Sequence, residues 1–135
     1  MKKLLIGGQA LKELGSSRHT EDFDYLINDT NNKNPFITSD EIDYINANGH
    51  NFFAEIWKLE SENETEIASP KALLELKAFS LVQHCQNFNF KKADEAEFDM
   101  KFLMRKFNLK LPTIVKKHVT PGEYSEIIKA CEIRK

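Results

Sequence analysis

A chain of 135 residues is about the size of one ordinary domain and needs no disulfide or metal staple to hold a core. With 41% hydrophobic and 30% charged residues, it belongs with folded globular proteins and not with disordered ones. Its 19 basic and 21 acidic side chains leave a formal net charge of -2, which excludes an overall basic field for nucleic acid but not a local basic patch.

The chain opens with Leu4-Leu5-Ile6, a short buried strand that stops at Gly7-Gly8 in a tight turn. That apolar run is too short for a secretory core of about 7–15 residues or a membrane span of about 20, so a cytoplasmic protein without an anchor is expected. Ala10, Leu11 and Leu14 share one side of a short helix, which Gly15 with Ser16 and Ser17 ends. Phe23, Tyr25 and Ile27 then alternate with Asp22, Asp24 and Leu26, the period of a strand, which points both aspartates the same way.

After the polar turn 29–35, residues 36–46 read as another strand, and Asn48-Gly49 marks a hairpin into a strand over 52–57. Residues 60–66 are acidic loop. Ser69-Pro70 signals a helix start, with Ser as N-cap and Pro in the first turn, and the helix carries Leu73, Leu74, Leu76, Lys77, Phe79, Leu81 and Val82. Residues 86–92 break it, Asp94 with Glu97 opens the next helix, and Thr120-Pro121-Gly122-Glu123 forms a capping box for a last helix running toward Lys135. The expected fold is one α+β domain, a small mixed β-sheet with helices packed on it. Its sheet-rich core spans about 1–67 and its helical part about 68–135.

Cys85 and Cys131 lack metal-ligand spacing and read as free thiols of a reducing cytosol. His19, His50, His84 and His118 are too scattered for a zinc site. Asp22 and Asp24, at i and i+2 on one strand face, are the pair that can carry chemistry, because two carboxylates on one side can hold a divalent cation. Taken alone, such a pair also suits a surface strand. The Gly7-Gly8 turn upstream, whose backbone N–H groups can face a phosphate, and Arg18 and Thr20 just before the acids give it context.

Gly7-Gly8-Gln9-Ala10-Leu11 followed by Arg18-His19-Thr20-Glu21-Asp22-Phe23-Asp24 resembles the pattern of the DNA polymerase beta-type nucleotidyltransferase superfamily, in particular its short stand-alone and abortive-infection toxin-type members. The segment from Ala68 to Lys77 is similar to that family's post-sheet helix with an inward lysine, and Asp94 through Leu103 to a following helix with an acid at Asp99. The resemblance covers roughly residues 4–107. It implies Mg²⁺-dependent transfer of a nucleoside monophosphate from an NTP to a hydroxyl, with two metal ions held by Asp22, Asp24 and a third acid.

Asp43 is the preferred third acid and Glu55 the alternative, both on expected strands. Gly7 and Gly8 would let the backbone approach the phosphates, with Arg18 and Thr20 beside them. Lys77 either snorkels to solvent or reaches the triphosphate. The acceptor is a tRNA end, a protein hydroxyl or a small molecule, completed by a partner or a homo-oligomer. A toxin or phage-defence role with a cognate antitoxin follows from the same resemblance. Two rival readings are a catalytically inactive binding module of the same fold and an interaction protein using its Phe-rich helical half.

Overall fold

The structure, a computed structural model, describes residues 2–132. The chain is α+β, with a four-stranded mixed sheet and five α-helices among the described residues. It divides into two compact units, Met1–Ala72 and Leu73–Lys135.

The first unit begins with β1 (Leu4–Ile6), whose chain passes directly into α1 (Gly7–Glu13). Gly7 and Gly8 are therefore the first residues of a helix and not a separate turn. Gly7 sits at φ +68, where a side chain is strained, so the abrupt change from strand to helix depends on glycine. Gly15, at φ +103, follows the helix end.

β2 spans Asp24–Ile27 and pairs antiparallel with β1, with Ile6 opposite Asp24 as the last rung. The expected strand from Asp22 starts two residues late, because β1 turns into helix at Gly7 and offers nothing further to pair with. Asp22 lies in the exposed segment ahead of the strand, where its N–H meets Thr20 Oγ1 at 3.4 Å.

The single strand expected over 36–46 is instead a hairpin of β3 (Phe36–Ser39) and β4 (Ile42–Asn46). Asp40 and Glu41 form its two-residue turn, at φ +52 and +64, the left-handed conformation that suits the twist of paired strands. β4 returns to the centre and pairs parallel with β2, giving the order β1-β2-β4-β3. Residues 66–68 cover the outer edge of β1, with Leu5 N–H bonding Glu66 O at 2.8 Å and Ala68 N–H bonding Leu5 O at 3.0 Å.

The hairpin expected at Asn48-Gly49 is a 3-10 turn leading into α2 (Asn51–Leu59), so the expected strand over 52–57 is helical. His50 caps it, its Nδ1 accepting the Phe52 N–H at 3.0 Å. Phe52, Phe53 and Ile56, at i, i+1 and i+4, are all buried, and this is the stripe a helix needs. Gly49 is required by packing: a Cβ there would lie 2.6 Å from Pro35 Cα. Buried Asn46 ties the 29–34 loop to the sheet, accepting Asp29 N–H at 2.8 Å and donating to Asn32 O at 2.9 Å.

α3 (Pro70–Gln86) starts where expected, with Ser69 Oγ accepting the Ala72 N–H at 3.2 Å. α4 (Phe90–Phe107) begins earlier than the Asp94–Glu97 pair suggests, because Asn89 Oδ1 caps it at Lys92 N–H. α5 (Pro121–Cys131) carries the expected capping box, Thr120 Oγ1 accepting Glu123 N–H at 3.1 Å and Glu123 Oε1 accepting Thr120 N–H at 2.7 Å. Residues 133–135, where the last helix was expected to run on, lie outside the described residues. Met100, Leu103, Val115 and Ile127 are fully buried in this second unit. Glu75, 1% exposed, accepts the Ile114 N–H at 2.8 Å and the Val115 N–H at 3.3 Å, and so fixes the segment before α5. Among the described residues no helix is long and apolar enough to cross a membrane.

Candidate functional site

Eight of the residues singled out from sequence lie in the first unit: Gly7, Gly8, Arg18, Thr20, Asp22, Asp24, Asp43 and Glu55. The sheet brings two of the acids together. Asp24 is the first residue of β2 and stands directly opposite Asp43 in the parallel ladder. Partners in register share a sheet face, so both carboxylates project from the amino ends of the two central strands on one side. Leu26 and Ile45 continue that face toward the carboxyl ends. It is the side on which Phe53 of α2 meets Phe36 edge to face, with ring centroids 5.7 Å apart.

Gly7 closes against this pair. A Cβ at Gly7 would come 2.6 Å from Asp24 Oδ2, so the missing side chain is what lets the start of α1 and the Asp24 carboxylate coexist. Gly8 is held the same way by the next segment: its absent Cβ would lie 2.9 Å from Thr20 Cβ and 3.1 Å from Arg18 Nη2. Gly7, Gly8, Arg18, Thr20 and Asp24 thus meet around the first turn of α1, with Asp43 one strand away.

Three residues that sequence reasoning passed over organise this cluster. Gln9 Nε2 donates to Thr20 O at 2.9 Å and pins the 18–20 segment to α1. Ser16 Oγ accepts the Arg18 N–H at 3.3 Å. Thr38 Oγ1 donates to Asp43 Oδ1 at 2.7 Å, fixing that carboxylate from β3. Gln9 stands inside the Gly-Gly-Gln motif, between Gly8 and the apolar pair Ala10-Leu11. Thr38 had no local signal, because its contact depends on the hairpin register.

The other candidates sit elsewhere. Glu55 is half-buried on α2, so its expected setting on a strand does not hold. Lys77 belongs to the second unit, where its Nζ lies 2.9 Å from Asp99 Oδ2. Asp99 is fully buried, and Lys77 is 17% exposed. Among the described residues, no three His, Cys, Asp or Glu side chains gather closely enough to hold a metal ion. The donors that the sheet does bring together are carboxylate oxygens, the ligand type for a hard cation.

The fold and this cluster define the class: an α+β protein with paired acids at the amino ends of adjacent parallel strands and a glycine-opened helix against them. Searches against protein families, curated proteins and solved structures found no match to the chain.

Proposed function

We propose that the chain is a nucleotidyltransferase that moves a nucleoside monophosphate from an NTP to a hydroxyl acceptor, in the cytoplasm, with Mg²⁺ as cofactor. The observation that carries this reading is the register of Asp24 opposite Asp43, with Gly7 packed against the Asp24 carboxylate. Two carboxylates suit Mg²⁺, which takes its other ligands from water and substrate phosphates. Asp24 and Asp43 would hold it, with Asp22 two residues upstream as a further ligand. The bound ion would supply charge neutralisation for the phosphates and a lowered pKa for the attacking hydroxyl.

The chain's own groups do the rest. Thr38 keeps the Asp43 carboxylate turned by its hydrogen bond. Glycine at positions 7 and 8 lets the Asp24 carboxylate and the 18–20 segment close on the first turn of α1. Arg18, beside Gly8, supplies a planar donor set that matches phosphate oxygens. The acceptor, a tRNA end, a protein hydroxyl or a small molecule, and a partner such as an antitoxin or a second copy, rest on the sequence resemblance alone.

A second reading, a binding module of this fold without catalysis, draws on the position of Asp22. That residue is exposed and lies ahead of β2, so the sheet itself holds only Asp24 and Asp43. Titration calorimetry of ATP, GTP, CTP and UTP with Mg²⁺ tests the proposal. Metal-dependent binding of one or more NTPs, lost in Asp24→Asn with Asp43→Asn, is the expected result. Binding that survives both substitutions, or no binding of any NTP, overturns it. Binding without turnover against any acceptor selects the second reading.

A further inference from the structure

We propose that the free edge of β3 is a dimer interface, on which a second copy of the chain adds its own β3 antiparallel about a twofold axis at Ile37. The two edges of the sheet differ. Residues 66–68 cover β1, whereas β3 ends the order β1-β2-β4-β3, and no other segment among the described residues bonds to its outer side. The strand Phe36-Ile37-Thr38-Ser39 contains no proline, charge or bulge, the devices that keep an edge from pairing.

The hairpin fixes which backbone groups face outward. Its two-residue turn makes Ser39 and Ile42 exchange hydrogen bonds, and Asn46 N–H donates to Pro35 O at 2.9 Å. The alternation between these rungs turns the N–H and C=O of Ile37 to β4 and those of Phe36 and Thr38 outward. Among antiparallel twofold pairings, the register centred on Ile37 uses both outward residues. Phe36 exchanges bonds with the partner's Thr38, Thr38 does so with the partner's Phe36, and the two Ile37 side chains meet on the axis.

Self-complementarity favours a second copy over a foreign strand. Carried past the strand ends, the same register sets exposed Lys33 against the partner's Glu41 and exposed Asn34 against the partner's Asp40. Opposite charges meet on both sides of the axis, and no like charges stand directly opposite each other. Phe36, 57% exposed although its ring meets Phe53, gains cover from the partner's Thr38. The interface stands independently of the nucleotidyltransferase reading, but it brings the partner's Phe36 beside Thr38, whose hydroxyl holds Asp43 at 2.7 Å.

The test is sedimentation equilibrium of the full chain from about 1 µM to about 1 mM, where a monomer–dimer equilibrium is expected. Thr38→Pro removes an outward N–H that β4 does not use and should weaken dimerisation at least about tenfold. Lys33→Glu, at the surface, turns an attraction into a repulsion on both sides of the axis and should weaken it about tenfold. Lys33→Glu with Glu41→Lys should restore it. Under mild oxidation Ile37→Cys should cross-link two copies through position 37, located by mass spectrometry, and Phe36→Cys should cross-link far less, because Thr38 stands opposite it. A monomer throughout this range, a dimer indifferent to Thr38→Pro or Lys33→Glu, a double variant as weak as the single one, or cross-linking that favours position 36 over 37 overturns the proposal.

Discussion

Gly8→Ala is the substitution that examines the packing of the candidate site most directly. Gly8 lies within α1 on ordinary helical backbone, so by propensity alone alanine there should stabilise by about 1 kcal/mol. The structure predicts the opposite sign. The new Cβ would overlap Thr20 Cγ2 and lie 2.9 Å from Thr20 Cβ, and Thr20 cannot withdraw freely because its carbonyl is held by Gln9. Overpacking of this kind costs about 1–3 kcal/mol. Set against the propensity gain, the net loss is about 1 kcal/mol, read as a lower urea midpoint at unchanged slope.

The double substitution Gly8→Ala with Thr20→Ser identifies the cause. Serine removes Cγ2 but keeps the hydroxyl that meets the Asp22 N–H, so the pair should recover at least half of the loss, an interaction energy of about 0.5 kcal/mol or more. Gly7→Ala should cost more, about 1–2 kcal/mol from its left-handed backbone alone, and Thr20→Ser should not relieve it. If Gly8→Ala raises the urea midpoint, or if its effect is indifferent to Thr20, the contact between α1 and the 18–20 segment is refuted.

Lys77→Ala leaves the buried Asp99 carboxylate without its ammonium and should destabilise by about 3 kcal/mol. Lys77→Met with Asp99→Leu should recover most of that in the same urea titration. Thr120→Ala removes the α5 cap and should cost about 1 kcal/mol. The Thr120 backbone N–H, more than the hydrogen bonds from Gln86 and the Thr120 hydroxyl, holds Glu123 below its ordinary value of 4.5. The unfolded chain therefore takes up that proton first, so the stabilisation is full above about pH 4.5 and is lost as the pH falls through the lower folded value. Urea midpoints between pH 6 and pH 3 should fall less steeply in Glu123→Gln, which removes the titrating group, than in the parent. Burial pushes the Cys131 thiol up to about 11, whereas Cys85 is half-buried. Iodoacetamide at neutral pH should therefore modify Cys85 first, and equal rates by mass spectrometry would contradict the burial of Cys131.

Where an element's signal is local, the sequence was enough to read it. The Ser69-Pro70 start of α3 and the Thr120–Glu123 box of α5 are side-chain caps a few residues long, and both form as read. β1 and the helix after it were equally legible from a three-residue apolar run and a glycine pair. The short run around Phe52 and Phe53 was ambiguous because so few apolar residues do not fix a period, and the cap that decides for helix comes from His50, an uncommon capping residue. The hairpin turn at Asp40-Glu41 was hidden because two acids, and not glycine or asparagine, take the left-handed conformations.

The candidate site divides along the same line. Gly7, Gly8, Arg18, Thr20, Asp22 and Asp24 lie within eighteen consecutive residues and were legible as one motif. That Asp43 stands opposite Asp24, that Thr38 orients it, and that Lys77 is committed to Asp99 follow from pairings between distant segments. A parallel ladder takes its register from the whole sheet and a buried ion pair from the packing of two helices, so neither is written in the residues that flank them. Composition and local spacing fix which side chains are on offer, and packing between distant segments selects which of them meet.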